Sequence, residues 1–262
     1  MDKTLTNQAR KLYSLYSILD NKDQLKMKLA DTFGDIETID NTRTIINNIV
    51  QKHYPNEAII KSSFINYITK NNTNKTIIYE MNVHNSRVDL CSIGKKSIAY
   101  EIKTDFDTKN RLQKQINDYK LVFEENYLIC SKQKLTSLSD SISPDVGIYL
   151  YTIKKSGRIY FSKFRPAKKN QQINAEKQLE SLTKQELKTI YNSKNNLEKS
   201  DLISSILTKY QKKKINSFFK ICIKQRYATR WNFLFSHKDS IFLLDYQWFY
   251  NNPINPTLIY QA

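Results

Sequence analysis

The sequence predicts an α/β protein with an αβββαβ core around a mixed sheet, followed by a basic helical C-terminal extension. Three β-rich segments come in succession, at residues 75–80, 87–93 and 97–104. Turn-like residues 82–86 and 94–96 join them, and a helical pattern follows directly. Such short runs bounded by Asn, Gly and Ser are typical of consecutive strands. The 262 residues suffice for one substantial core and an appendage.

The elements on either side of these strands complete the predicted core. Helices at 43–52 and 57–70, separated by Pro55, precede the first strand. A helix at 108–125 follows the third strand, and residues 126–131 form the fourth. The helix is predicted to pack on the sheet because its apolar residues recur every three or four positions: Leu112, Ile116, Tyr119 and Phe123.

The rest of the chain is predicted to carry a hairpin and several helices. Residues 148–154 and 158–165 form the hairpin, and helices follow at 175–191, 197–216 and 217–227. An amphipathic helix marks the chain start. The aromatic-rich tail, 231–260, is expected to pack in a core in preference to stacking on bases. We therefore expect an N-terminal helical segment at 1–40, a core at 41–165, and a basic helical and aromatic region at 166–262.

Four charged residues in the predicted strands mark a candidate site: Glu80, Asp89, Glu101 and Lys103. Alternation along a strand points Glu101 and Lys103 to one face, and Asp89 falls on the neighbouring strand. Carboxylates brought together repel one another unless a cation lies among them. The pattern therefore predicts a divalent metal site for Mg²⁺ or Mn²⁺.

These residues resemble the motif of the PD-(D/E)XK phosphodiesterase superfamily, an acidic residue followed after a spacer by (D/E)-x-K. Here Asp89 is followed by eleven residues and then by Glu101-Ile102-Lys103. The stretch from Glu80 to Tyr119 is similar to one branch, the uncharacterised bacterial Sce-type family of nuclease-like proteins. Val88 stands where the superfamily name has proline.

The resemblance implies a restriction-endonuclease-like fold and a metal-dependent nuclease. DNA is the expected substrate in preference to RNA, and phage defence or a mobile element is a plausible setting. The implied catalytic residues are Asp89, Glu101, Lys103, Gln115 and Tyr119, and the implied metal ligands are Glu80, Asp89 and Glu101.

Three other interpretations of the same residues stay open. In a chain with 26% charged residues, Glu101 and Lys103 could be an ordinary surface pair of small energetic value. Alternatively, the chain is a catalytically silent nucleic-acid-binding or regulatory protein on a nuclease-like fold. It could also be a protein-interaction module of a defence system.

The net charge of +17 predicts a polyanionic partner. Residues 150–262 carry 21 Lys and Arg against 7 Asp and Glu, whereas residues 1–149 carry 21 against 18. The expected nucleic-acid-binding residues share a basic side chain near the site or on the C-terminal helices: Arg87, Arg111, Lys212, Lys213, Lys214, Lys220, Lys224 and Arg226.

The cysteines, histidines and apolar runs of the sequence argue against disulfide-linked, zinc-binding and membrane-spanning proteins. Three cysteines without Cys-x-x-Cys spacing suggest neither a disulfide framework nor a structural zinc site. The three histidines show no metal-ligand spacing. No apolar run is long enough to span a membrane, and the N-terminus lacks a signal-peptide pattern. We expect a cytoplasmic protein without membrane association, and the sequence leaves its oligomeric state open.

Overall fold

The computed structural model describes residues 2–34, 41–70, 74–108, 110–138, 142–192 and 197–261. The strands are β1 (Thr76–Val83), β2 (Ser86–Ile93), β3 (Ser97–Lys103), β4 (Glu125–Ser131), β5 (Gly147–Ile153) and β6 (Ile159–Arg165). The helices are α1 (Lys3–Leu15), α2 (Lys22–Phe33), α3 (Thr42–His53), α4 (Glu57–Thr69), α5 (Leu112–Lys120), α6 (Lys132–Leu138), α7 (Ala175–Glu180), α8 (Lys184–Ile190), α9 (Lys199–Lys209), α10 (Lys212–His237), α11 (Tyr246–Asn251) and α12 (Pro256–Tyr260).

The strands form one six-stranded sheet in the order β1-β2-β3-β4-β5-β6. β1 pairs with β2 and β2 with β3 in antiparallel fashion, while β3 and β4 are parallel. Parallel neighbours need a crossover connection, and α5 supplies it. The α/β class and the predicted αβββαβ order, here α4-β1-β2-β3-α5-β4, are confirmed.

The chain divides into two compact units. Unit 1 comprises Met1–Lys70, Tyr151–Phe161 and Asn232–Ala262, and unit 2 comprises Asn71–Leu150 and Ser162–Trp231. The division into 1–40, 41–165 and 166–262 stays a prediction, since it follows the order of the sequence whereas these units join segments that are distant along the chain.

The core of unit 2 forms where helices cover the sheet. Apolar residues of β1 to β4 pack with α5, α7, α9 and α10, including Leu112, Tyr119, Leu179, Leu202 and Phe219. Among these, Tyr119, Leu112, Leu179 and Phe219 have no exposed surface. The candidate residues of β2, β3 and α5 are therefore held by a packed core, in which side chains have few alternative positions.

The core of unit 1 contains a buried carboxylate. Asp245 is 2% exposed and accepts hydrogen bonds from the hydroxyl groups of Tyr16, at 3.0 Å, and Tyr260, at 2.8 Å. The Arg43 guanidinium lies 5.8 and 5.1 Å from the centroids of these two rings. Burial raises the pKa of Asp245 to about 6, although the two hydroxyl groups and Arg43 oppose the shift.

Three predicted helices have different boundaries in the structure. The helix expected at 175–191 is interrupted, because Thr183 and Glu186 form a capping box that begins α8. The helices expected at 197–216 and 217–227 are instead α9 and α10, separated at Tyr210, whose backbone is extended. Asn216 and Ser217, which mark the expected boundary, lie inside the 26-residue α10. The packing of buried Ile215 and Phe219 outweighs the weak helix propensity of Asn216 and Ser217.

Gly147 provides a test of packing in unit 2. A Cβ atom there would meet the ring of Tyr127 and lie 2.6 Å from the backbone nitrogen of Ala167. The Tyr127 ring contacts Tyr100 and Tyr149 at centroid distances of 5.8 and 5.1 Å, so it has little room to move. We expect Gly147→Ala to lower the free energy of unfolding by about 1–3 kcal/mol in urea denaturation. Gly94→Ala is the matched control, since its Cβ would make ordinary contacts at 3.5 Å.

The raised pKa of Asp245 predicts a pH-dependent stability. Between its unfolded pKa of 3.8 and its folded pKa of about 6, the folded protein binds more protons than the unfolded chain, so stability falls as pH rises. The free energy of unfolding of wild type relative to Asp245→Asn should drop by up to about 3 kcal/mol from pH 4 to pH 7. Urea titrations at several pH values measure this difference. A difference that stays constant or grows with pH would contradict the account.

Candidate functional site

The three acidic residues singled out in the sequence lie at one level of the sheet. The pairs Tyr79 with Leu90 and Met81 with Val88 place Glu80 opposite Asp89. On the other side of β2, Leu90 pairs with Tyr100. One position beyond this pair, Asp89 lies opposite Glu101. Neither level is itself a regular backbone pair. Like charges directly across strands are destabilising, so the side chains at this level need other partners.

The partner of Glu101 is Lys103, on the same strand. Glu101 is 1% exposed, and its Oε1 accepts a hydrogen bond from the Lys103 Nζ at 2.5 Å. The other oxygen, Oε2, accepts from the hydroxyl group of buried Tyr119 at 2.6 Å. A buried carboxylate is tolerated when it is paired and hydrogen-bonded. The surface-pair interpretation of Glu101 and Lys103 is therefore wrong.

Gln115 and Asp89 both accept hydrogen bonds from β3, next to this pair. The Lys103 Nζ also donates to Gln115 Oε1 at 3.1 Å, and Gln115 lies one turn before Tyr119 on α5. Asp89 Oδ2 accepts from the backbone N–H of Ile102 at 2.7 Å. Its carboxylate thus takes the place of a ladder bond where the β2–β3 pairing ends at Leu90 and Tyr100.

The electrostatics of the pair keep Lys103 charged. Burial lowers the pKa of Lys103, but the neighbouring Glu101 carboxylate outweighs this, and the net pKa is raised. Burial raises the pKa of Tyr119, and the Glu101 charge raises it further, so its hydroxyl group stays protonated and donates. Glu101 is therefore neutralised by an ammonium group of the chain itself.

Glu80 has a different environment from Glu101. Its backbone has φ +51°, uncommon for a residue other than glycine, and its carboxylate pairs with Arg87 at 3.3 Å. It lines a cleft of about 400 Å³ together with other polar residues: Asn82, His84, Lys177, Glu180, Ser181, Arg226 and Tyr227. In the described part of the chain, no three His, Cys, Asp or Glu residues are arranged to hold a metal ion.

The carboxylate oxygens of these residues therefore do not fit the expected Mg²⁺ or Mn²⁺ site. Both oxygens of Glu101 accept hydrogen bonds from Lys103 and Tyr119, and an oxygen of Asp89 accepts from the backbone. Hard cations take several carboxylate or carbonyl oxygens at once, which this arrangement does not offer. The metal remains a prediction from the sequence to which the geometry adds no support.

A second candidate surface lies on α10. Its 26 residues include no Asp or Glu but seven Lys and Arg. Its buried side faces the core of unit 2 through Ile215, Phe219, Cys222 and Ile223. Lys213, Lys214 and Lys224 are exposed. The helix thus presents positive charge to solvent without an acidic residue of its own to neutralise it.

The eight expected nucleic-acid-binding residues lie in different environments. Lys212, Lys213, Lys214 and Lys224 are exposed on α10, and Arg111 is exposed before α5. Three others have acidic partners: Arg87 with Glu80, Lys220 with Glu124 at 3.0 Å, and Arg226 with Glu186, to which its Nε donates at 2.7 Å. Burial lowers the pKa of Arg226, but Glu186 reverses the shift and raises it. Binding by all eight stays a prediction.

The sequence offered no reason to single out Ser217, Ile221 and Gln225, which are exposed on α10. The expected boundary at 216–217 left all three in one helix but separated them from Lys212, Lys213 and Lys214. The signal was nevertheless present, since residues 212–237 contain neither glycine nor proline.

Within the described ranges, no helix is both long and apolar enough to cross a membrane. The compartment stays a prediction.

These features define a class: a mixed α/β protein with an acidic cluster neutralised from within and a separate helix that carries only positive charge. The family model of bacteriophage P4 protein cII matches residues 50–244, more than half of the chain. The chain therefore belongs to the bacteriophage P4 cII protein family.

An individual relative supports this membership. Protein cII of Enterobacteria phage P4 is 31% identical over 188 residues, which cover 68% of this chain and 70% of that protein. Among solved structures, a protein of unknown function from Silicibacter pomeroyi is 13% identical, with a TM-score of 0.27. That match covers 37% of this chain and 63% of the other, and a likeness this weak carries no argument.

Family membership corrects the interpretation drawn from the motif. The resemblance to the PD-(D/E)XK superfamily and its Sce-type branch is wrong, because the family that matches is that of the P4 cII protein. The nuclease function and the enzyme class rested on that resemblance, and they are wrong with it. The catalytic roles of Asp89, Glu101, Lys103, Gln115 and Tyr119 lose their basis, although these side chains do lie together.

The buried pair predicts a strongly non-additive double-mutant cycle. Lys103→Met leaves the Glu101 carboxylate buried without its cation, and it should cost about 3–5 kcal/mol of unfolding free energy. Adding Glu101→Gln should recover much of this cost, because the remaining amide oxygen still accepts from Tyr119. Urea denaturation measures the cycle. Lys114→Met, an exposed position on α5, is the control. A cost below about 1 kcal/mol for Lys103→Met would contradict the pairing.

Proposed function

We propose that this chain is a regulatory protein that binds nucleic acid through α10 and does not hydrolyse it. The exposed, acid-free lysine surface of α10 carries the proposal. Membership in the phage P4 cII family supports a role other than that of a PD-(D/E)XK nuclease. The function follows the catalytically silent alternative that the sequence left open.

Charge distribution supports nucleic acid as the partner. On most protein surfaces acids and bases are interspersed, whereas α10 has bases alone. The excess has a cost, since Lys212, Lys213 and Lys214 occupy the first turn of the helix, where the helix dipole is also positive. A phosphate backbone would relieve this repulsion, and counterions released from it would favour binding.

The acidic cluster has a structural role in this proposal. Glu101 and Lys103 connect β3 to α5 through Tyr119 and Gln115, and Asp89 connects β2 to β3. These bonds leave the cluster closed by its own donors, and binding by lysines requires no divalent cation. The proposed interaction therefore persists in EDTA, and the nucleic acid remains intact after incubation with Mg²⁺.

The α10 lysines should dominate the salt dependence of binding. For Lys213→Gln, Lys214→Gln and Lys224→Gln combined, we expect weaker binding to nucleic acids of any sequence. The slope of log K against log salt should fall by up to about three, one for each phosphate that the variant no longer neutralises. Fluorescence anisotropy with labelled duplex DNA, single-stranded DNA and RNA at several salt concentrations measures both effects.

The matched control removes the same charge elsewhere. Lys11, Lys22 and Lys26 are exposed on α1 and α2, and their combined change to Gln should leave the slope nearly unchanged. An equal decrease in both triple variants would show that net charge alone determines binding. No measurable binding by wild type to any of the three nucleic acids would refute the proposed function.

A further inference from the structure

The exposed face of α10 has a regular arrangement within unit 2. Lys214, Ser217, Ile221 and Gln225 are exposed and follow one another at three, four and four residues. Side chains at this spacing lie on one face of a helix. Lys213 and Lys224 flank the row, while Ile215, Phe219 and Ile223 are buried on the opposite side. The middle of the row is therefore uncharged, with a small hydroxyl side chain at Ser217 and an apolar one at Ile221, and lysines lie toward both ends.

We propose that this face of α10 lies in the major groove of duplex DNA and reads base edges through Ser217, Ile221 and Gln225. The proposal rests on the proposed function and names its substrate class and its specificity-determining residues. Lys213, Lys214 and Lys224 contact phosphates, which position the helix without reading sequence.

The geometry of nucleic acids selects DNA. A helix with its side chains is about 10–12 Å across, and the major groove of B-DNA is about 12 Å wide. The major groove of an RNA duplex is deep and too narrow for side chains to read. The row from Lys214 to Gln225 rises about 16 Å at about 1.5 Å per residue, which corresponds to about five base pairs.

The chemistry of the row matches base edges. The Gln225 amide has both a donor and an acceptor and can pair with N7 and N6 of adenine. Ile221 is 40% exposed and offers an apolar contact to the thymine methyl group. Ser217 can donate or accept, and its small side chain permits a close approach of the helix.

Charge and polarity argue against two other occupants. A second copy of α10 would bring two acid-free basic surfaces together, and like potentials repel. A lipid surface requires a broad exposed apolar face. On α10, Ile221 is the large apolar side chain that is exposed, and lysines flank it.

Selection from random duplex DNA tests the proposal. Wild type should enrich a short motif, and Gln225→Ala should reduce its preference at one base position by about tenfold or more. Ile221→Ala should relax an adjacent position, since its side chain lies one turn earlier on the same face. Binding of both variants to unrelated duplex DNA should stay within about twofold of wild type, because the lysines are intact.

The control is Gln185→Ala, which removes an exposed glutamine from α8 and should leave the motif unchanged. Circular dichroism verifies that each variant is folded.

The outcomes separate this inference from the proposed function. Salt-dependent binding of DNA without an enriched motif, or an unchanged motif in Gln225→Ala and Ile221→Ala, would overturn groove reading and leave the proposed function standing. A preference for RNA over duplex DNA would do the same. Absence of binding to any nucleic acid would overturn both.

Discussion

The pairing of Glu101 with Lys103 is the constraint on which the arrangement of the sheet and α5 depends. A carboxylate with 1% exposure in a packed core must have a cation and a donor close by. Lys103 supplies the charge, and Tyr119 supplies the donor from α5. The crossover helix is thus fixed in position on β3, and the hydrogen bond from Ile102 to Asp89 fixes β2 beside it.

Pairing inside the fold also distinguishes the charges of the acidic cluster from the exposed charges of α10. Charges in the β3 cluster are satisfied inside the fold, and Lys220 and Arg226 are likewise engaged by Glu124 and Glu186. The lysines on the exposed side of α10 have no acidic residue on their own helix. The exposed lysines of α10 therefore offer positive charge that a phosphate backbone can neutralise.

Local patterns in the sequence predicted much of the fold. Alternation and turn residues predicted β1 to β3, and the apolar spacing of Leu112, Ile116 and Tyr119 predicted α5. The side chains of Glu101, Lys103, Gln115 and Tyr119 could be brought together on this basis. The length of α10 could not be predicted in this way. Asn216 and Ser217 favour a break locally, and only packing of the buried side keeps the helix continuous.

The function was harder to predict, for a physical reason. Spacing tells which residues approach one another but not which partner satisfies each charge. The carboxylates of an acidic residue and a following Glu-x-Lys can surround a metal cation, or the lysine can itself neutralise the glutamate. The sequence pattern is the same in both cases. Glu80 shows the same limit, since its position opposite Asp89 was accessible to reasoning but its φ of +51° and its pairing with Arg87 were not.

Lysine footprinting would test the central claim most directly. The intact chain would be acylated with and without duplex DNA, and the modification of each lysine would be measured by mass spectrometry. We predict protection of Lys213, Lys214 and Lys224 by DNA, with Lys103 unreactive in both states because it is buried against Glu101. DNA-dependent changes at Lys103 together with unaltered reactivity on α10 would contradict the account, since they would place the nucleic acid at the acidic cluster.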